Sequence, residues 1–374
     1  MRFTRLSWIP GAMAVAAVIA ACASAPVQTS LLAGAEPRQV TAHHVTARHV
    51  TAHPDVASIG SKGPVVGVNL YAVHNYSAAQ TATDGARTLA YIKDVLHASA
   101  VDLVWNMYAP SYSSDSVVTK ETETLTAPNI GILTRIAQAD GLSVEYRPLM
   151  FVETSGNTWE GKIEPTNPDA WFNSYYEANL PYLKMAQEYH ISEYVIGTEM
   201  NGLSPDQQWT SFLARSAKVF TGQISFTAND NVYFPPATQI PPTQLTGVDM
   251  YEKLRLLPSA SLSQVVAAYE KFFAEVPASL LKRTAIQETG IEARSGAYGD
   301  PPSLGRPGQP DEAVQYNWFM AGCETVKRFQ LRGIFFWKVD LADYPVTHPA
   351  PSMSTFEGKS GAVAISKCAS IING

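Results

Sequence analysis

The sequence predicts a (β/α)8 TIM barrel, an α/β fold built as one domain over residues 63–374. Three observations carry that expectation. Apolar strand-like runs alternate with amphipathic helical stretches from Gly63 onward. Eight such runs follow one another, the number that a closed parallel barrel needs. No G-x-G-x-x-G follows the first run, so the main signal for a doubly wound open sheet is missing.

The strands are expected in order at "PVVGVNL" (64–70), "VDLVWNM" (101–107), "LSVEYRPLM" (142–150) and "SEYVIGT" (192–198). They continue at "QISFTA" (223–228), "LTGVDMY" (245–251), "RTAIQE" (283–288) and "RGIFFW" (332–337). Most are runs of Val, Ile, Leu and aromatic residues, as suits strands covered on both faces. Helical patterns are expected at 83–98, 127–140, 168–189, 205–219, 262–275, 311–329 and 358–370. The fifth connection differs, because "PPATQIPPTQ" (235–244) stands where a long helix would run.

Upstream of the barrel the chain reads as export machinery. Arg2 and Arg5 form a basic start, and "AMAVAAVIAA" (12–21) is an apolar core too short to span a bilayer comfortably. It ends in "IAAC", which resembles a bacterial lipoprotein box. That resemblance implies a signal peptide over 1–21 and lipidation of Cys22; ordinary secretion with cleavage after the nearby "ASA" is the alternative. Either way the expected location is extracytoplasmic, at the cell envelope or secreted. Residues 22–62 read as a flexible tether containing the repeat "VTAHH VTARH VTAHP" (40–54). Histidines at that density can bind metal, but a period of five suits neither a helix face nor a strand, so a spacer is the expectation.

Composition narrows the partners. A net charge of -6 without a Lys/Arg run gives no nucleic-acid face. Seven Trp and seventeen Tyr allow either extra core packing or sugar stacking. Nothing suggests an obligate oligomer, and a monomer is expected. Outside the cytoplasm Cys323 and Cys368 form an even pair, expected to join the last two helices as a disulfide.

In a barrel of this kind the chemistry gathers at the C-terminal ends of the strands. Those ends read Asn69, Asn106, Arg147, Glu199, Asn229, Tyr251, Glu288 and Trp337. Glu199 follows "EYVIGT", a buried strand, and an unpaired carboxylate there needs a reason. Glu288 stands at the end of the seventh strand. Two carboxyl groups facing one cleft are what glycoside hydrolysis requires, one protonated and one ionised. A separation of roughly 5–5.5 Å would give retention through a covalent glycosyl-enzyme. Tyr251 is placed to hydrogen-bond Glu288, and Trp337 to stack on a pyranose ring.

This arrangement resembles the clan A glycoside hydrolases, and within them glycoside hydrolase family 113, whose known members are β-mannanases. The likeness runs through "TLTAPNIGILTRIAQADGLSVEYRPLM" (124–150) and "WEGKIEPTNPDAWFNSYY" (159–176). It continues through "IGTEMNGL", "GVDMY" (247–251), "IQETGI" (286–291) and "GIFFW" (333–337). It implies Glu199 as acid/base, Glu288 as nucleophile and an endo-β-1,4-mannanase without metal or cofactor. Many clan members carry Asn before the acid/base residue, and here Thr198 stands there. The contact to a substrate 2-hydroxyl is then open to Asn201 or Asn106. Arg147 either pairs with Glu288 or touches sugar. Trp159, between Gly156 and Gly161, is expected to line a subsite, and Trp171 to pack its helix on the barrel.

Blander readings remain for each carboxylate. Glu199 could cap the next helix, although that helix is better started at Ser204. Glu288 could belong to an ion pair with Arg283 or Arg294. The rival functions are hydrolysis of another β-linked glycan, and glycan binding without catalysis on a hydrolase barrel. A metal-dependent hydrolase ranks last, because no His stands at a strand end.

Overall fold

The computed structural model describes residues 63–154, 159–234, 239–341 and 353–373. The expected signal peptide, Cys22 and the expected tether lie outside the described residues. Eight parallel strands close in sequence order into one barrel. They are β1 (Val65–Ala72), β2 (Ala100–Ala109), β3 (Ser143–Val152), β4 (Glu193–Thr198), β5 (Gln223–Asn229), β6 (Leu245–Asp249), β7 (Thr284–Thr289) and β8 (Gly333–Asp340). Closure is made by β1 against β8, with Val65 opposite Gly333.

The strands are surrounded by α1 (Ala78–Ala90), α2 (Ala127–Ala139), α3 (Pro168–Glu188), α4 (Gln208–Ser216), α5 (Asp230–Tyr233), α6 (Leu262–Phe273), α7 (Ala278–Leu281), α8 (Glu312–Phe329) and α9 (Ser360–Asn373). Each expected helix is present, with shifted ends. The first begins early because Ser77 accepts a hydrogen bond from the Gln80 amide and caps it. The fourth begins at Gln208 rather than near Ser204, whose hydroxyl instead donates to the Met200 carbonyl. Among the described residues of the fifth connection, the single turn of α5 is the helix present.

Several strands run past their expected ends, and in three of them this matters for the site. β1 continues to Ala72, β2 to Ala109 and β3 to Val152. Asn69, Asn106 and Arg147 therefore sit inside strands, below the barrel mouth. Around the strands the core is apolar and aromatic: Trp105 stacks on Tyr182 at 4.5 Å, and Trp171 stacks on Tyr175 at 4.9 Å. Several buried strand residues are polar or charged. Asn69, Asp102, Glu145 and Glu193 stand opposite one another in register across β1 to β4. Such groups are tolerable only when hydrogen-bonded or paired. Asn69 donates to Asp102 at 3.0 Å, Gln287 donates to Glu145 at 2.6 Å, and Arg332 pairs with Glu193.

Cys323 on α8 and Cys368 on α9 are joined by a disulfide. It closes a loop of 45 residues. The chain-entropy relation assigns such a loop about 4 kcal/mol of stabilisation. Reduction, or a Cys323→Ser/Cys368→Ser double variant, is expected to lower the thermal midpoint, and differential scanning calorimetry with and without reductant measures it.

Candidate active site

A cleft of about 1460 Å³ opens at the C-terminal ends of the strands. Glu199, Asn229, Tyr251, Glu288, Trp337 and Trp159 all line it, as the sequence predicted. The volume exceeds the roughly 300–1,000 Å³ usual for small-molecule pockets, which suits an extended ligand.

Glu199 stands one residue beyond β4 with φ of 48°, the left-handed region that a side-chain-bearing residue seldom adopts. Its amide donates to the Thr227 carbonyl at 2.9 Å, fixing the turn to β5. No helix-capping role remains, because α4 starts nine residues later. The carboxyl accepts from Asn229 Nδ2 at 2.8 Å and from Trp159 Nε1 at 2.6 Å. Burial and the neighbouring Glu288 push its pKa up to about 7, against the lowering effect of those two donors.

Trp159 reaches Glu199 from the connection between β3 and α3, and two glycines allow it. A side chain at Gly161 would lie 2.3 Å from the Trp159 ring. One at Gly202 would lie 2.4 Å from the Ile163 carbonyl oxygen, where the Gly202 amide donates to the Gly161 carbonyl at 3.1 Å. The two loops thus approach backbone to backbone, and the indole is seated on the carboxylate.

Glu288 has a different setting. Tyr251 donates to its Oε1 at 2.6 Å, and Arg147 Nη2 donates to its Oε2 at 2.8 Å. Both oxygens accept, which is the hydrogen-bonding pattern of a carboxylate anion. Burial, then Glu288 itself, holds the Tyr251 phenol well above its usual range, so it remains a donor. Neither Arg283 nor Arg294 is the partner. Arg283 donates to the Thr243 carbonyl and Arg294 pairs with Glu292.

Arg147 is fully buried and does not reach the cleft surface, which corrects its assignment as a sugar contact. Besides Glu288, it donates to Asp249 at 2.9 Å, to Thr198 at 3.0 Å and to the Gln287 carbonyl at 3.1 Å. Asp102 lies 3.7 Å away. Burial alone would weaken the guanidinium's hold on its proton, but Asp249, Glu288 and Asp102 together outweigh it and raise its pKa. Burial pushes Asp102 up to about 7 and Asp249 well above the carboxylate range, with Arg147 opposing both shifts.

Three further expected ligands are also relocated. Asn69 is fully buried and serves Asp102 and the Gln287 carbonyl. Asn106 accepts from the Tyr71 hydroxyl at 2.7 Å and is absent from the cleft lining. Asn201 donates to Asn231 at 3.1 Å and likewise does not line the cleft. The only expected asparagine there is Asn229, on Glu199.

Several groups escaped the sequence reading. Glu160 is half-buried, and burial followed by repulsion from Glu199 and Glu288 pushes its carboxyl well above the usual range. Asp340 lines the cleft and is paired with Lys338, whose ammonium lies 4.6 Å from the Tyr71 ring centre. Tyr71 also packs against Trp337, with ring centres 5.5 Å apart. The "WEGKI" stretch and the end of β8 were visible, but nothing in them gave side-chain direction. Among the described residues no cluster of His, Cys, Asp and Glu is arranged to hold a metal ion.

The Arg147 contacts carry a direct prediction. Removing one partner of a buried charge pair costs about 3–5 kcal/mol, because the remaining charges lose their counterion. Arg147→Leu is expected to destabilise the fold by about that amount, read from urea unfolding midpoints.

A family model for Glycoside Hydrolase Family 113 matches residues 71–356. Solved structures agree in fold. A GH113 β-1,4-mannanase complex superposes with a TM-score of 0.67 at 17% identity, covering 82% of this chain and 98% of its own. A GH113 β-mannanase from Alicyclobacillus acidocaldarius gives 0.67 at 19% identity, covering 83% and 98%. A family 5 protein, GH5_18 from Streptomyces cattleya solved with GlcNAc, gives 0.54 at 11%, covering 84% and 81%. No curated protein matches the chain in sequence. With the family model spanning well over half of its residues, this chain belongs to glycoside hydrolase family 113.

Proposed function

We propose that the protein is a retaining endo-β-1,4-mannanase that works by double displacement through Glu199 and Glu288. The observation that carries this reading is the contrast between the two carboxyls. Glu199 has its pKa pushed up to about 7, whereas Glu288 accepts from a guanidinium and a phenol. One is suited to hold a proton and the other to act as an anion. The two family 113 β-mannanases that share this fold support the choice of polymer.

In the first step a Glu288 oxygen attacks the anomeric carbon as the glycosidic C–O bond breaks. Glu199 gives its proton to the departing oxygen. In the second step Glu199, now a carboxylate, takes a proton from water while the water oxygen attacks the same carbon. The bond to Glu288 breaks and both carboxyls return to their starting states. Trp337, tilted against Tyr71, offers a flat face for a sugar ring beside the reaction centre. Glu160 stands beside both carboxyls, and burial and their repulsion raise its carboxyl well above the usual range.

The N-terminal "IAAC" motif supports a lipid anchor at Cys22, the tether would hold the barrel off the membrane, and we take the protein to act as a monomer. The Cys323–Cys368 disulfide fits an oxidising, extracytoplasmic setting.

Incubation with β-1,4-mannan is the test of the reading. The parent is expected to release oligosaccharides, and Glu199→Gln and Glu288→Gln to lose at least about 10³-fold in kcat while keeping native circular dichroism. A folded parent that leaves mannan intact but degrades another β-glycan would replace the polymer in this proposal. A folded parent that binds glycan without cutting any would replace the enzyme.

Acidity gives a second test. Glu199 must carry its proton for the first step, so kcat/KM is expected to fall about tenfold per pH unit above roughly pH 7. Trp159→Phe removes a donor that lowers the Glu199 pKa. The alkaline limb should then move to higher pH, and an unmoved limb would argue that Glu199 is not the acid.

A further inference from the structure

One wall of the cleft has chemistry that a neutral mannan leaves unused. It is formed by the segment after β6, with Leu254, Arg255 and Leu256, and by the end of α6, with Lys271 and Phe272. The other cleft lysines are neutralised: Lys253 pairs with Asp300 at 3.2 Å, and Lys338 with Asp340. Arg255 and Lys271 are exposed, and among the described residues neither forms an ion pair. The helix dipole accounts for a lysine in the last turn of α6. It does not account for an unpaired arginine from a different element lining the same cleft.

We propose that this wall is a subsite for an anionic substituent on the glycan, a carboxylate or a phosphate ester. The inference rests on the glycanase reading above and names the class of chain it would accept. Arg255 supplies a planar fork that matches either anion, and Lys271 a second positive charge lining the same cleft. Leu254, Leu256 and Phe272 supply apolar surface for the face of the sugar that carries the group. Asp230 and Glu252 also line the cleft, on the stretches that lead toward Glu199 and Tyr251. Burial, then Glu252, pushes the Asp230 carboxyl up to about 6. Acidic and basic side chains thus both line this cleft.

The test compares three forms of one β-1,4-mannan: unmodified, partly oxidised at its primary hydroxyls to carboxylates, and partly phosphorylated there. Affinities are measured by calorimetry on the Glu288→Gln protein, so that binding is read apart from turnover, and hydrolysis is measured on the parent. At least one anionic form should bind about tenfold tighter than the neutral form at low salt, and the gap should shrink as salt is added. The arm that wins names the group. An Arg255→Gln/Lys271→Gln variant should lose that preference, bringing the ratio of anionic to neutral affinity close to one.

Equal affinity for all three polymers would overturn the subsite while leaving the mannanase reading intact. So would an anionic preference that survives in the double variant. Binding of none of the three would overturn both, and hydrolysis of none by the parent would overturn the mannanase reading by itself.

Discussion

The site depends on one fully buried guanidinium. Arg147 starts on β3 and donates to groups on β4, β6 and β7, with Asp102 of β2 close by. A cation that is out of water must be matched by charge and hydrogen bonds, and here Asp249, Glu288 and Asp102 provide them. The same contacts fix where the Glu288 carboxylate stands relative to four strands. A side chain tied to a barrel framework is held more firmly than one on a loop, and a reacting group gains from that. Burial of the arginine also explains why it cannot serve as a ligand. Its donors are committed before any sugar arrives.

The second carboxyl is placed by a different means. Glu199 is set by a left-handed backbone at the end of β4, a conformation costing on the order of 1–3 kcal/mol. That strain persists because neighbours specify it: the amide is held by β5, Asn229 fixes one oxygen and Trp159 the other. The two glutamates therefore differ in every contact. Glu288 faces a cation and a phenol, whereas Glu199 faces two neutral N–H donors. Differences of this sort separate the acidities of two like groups that share one cleft.

Much of this was legible in the chain. The eight strands are visible because runs such as "VDLVWNM" and "RGIFFW" are apolar enough to be covered on both sides, and helical periodicity separates them. Glu199, Glu288 and Tyr251 stand at or just around the ends of their strands, and Trp337, although inside β8, also reaches the cleft. Asn69, Asn106 and Arg147 were misread for one reason. Each of their strands runs two residues further than the pattern indicates, so that three to five residues of strand follow each side chain and it sits in the barrel below the mouth. Asp249 was left unassigned because a strand end does not reveal which way its side chain faces, and a shift of one residue reverses it. The Trp159 contact was not legible at all. It joins positions 40 residues apart through a meeting of two loops, and only the tight approach at Gly161 and Gly202 makes it possible.

The Cys323–Cys368 bond bears on how the ring is completed. A barrel has no stable edge until its last strand finds its first, and here Val65 must wait for Gly333. The disulfide joins the helix leading into β8 to the helix that follows it, and that final helix packs against β1. The covalent link therefore lies across the seam, where the chain's earliest and latest strands meet. In a reducing cytoplasm that seam would rest on strand pairing and packing alone. Once the bond forms the seam is riveted, so completion of the barrel and oxidation of its two thiols become one event.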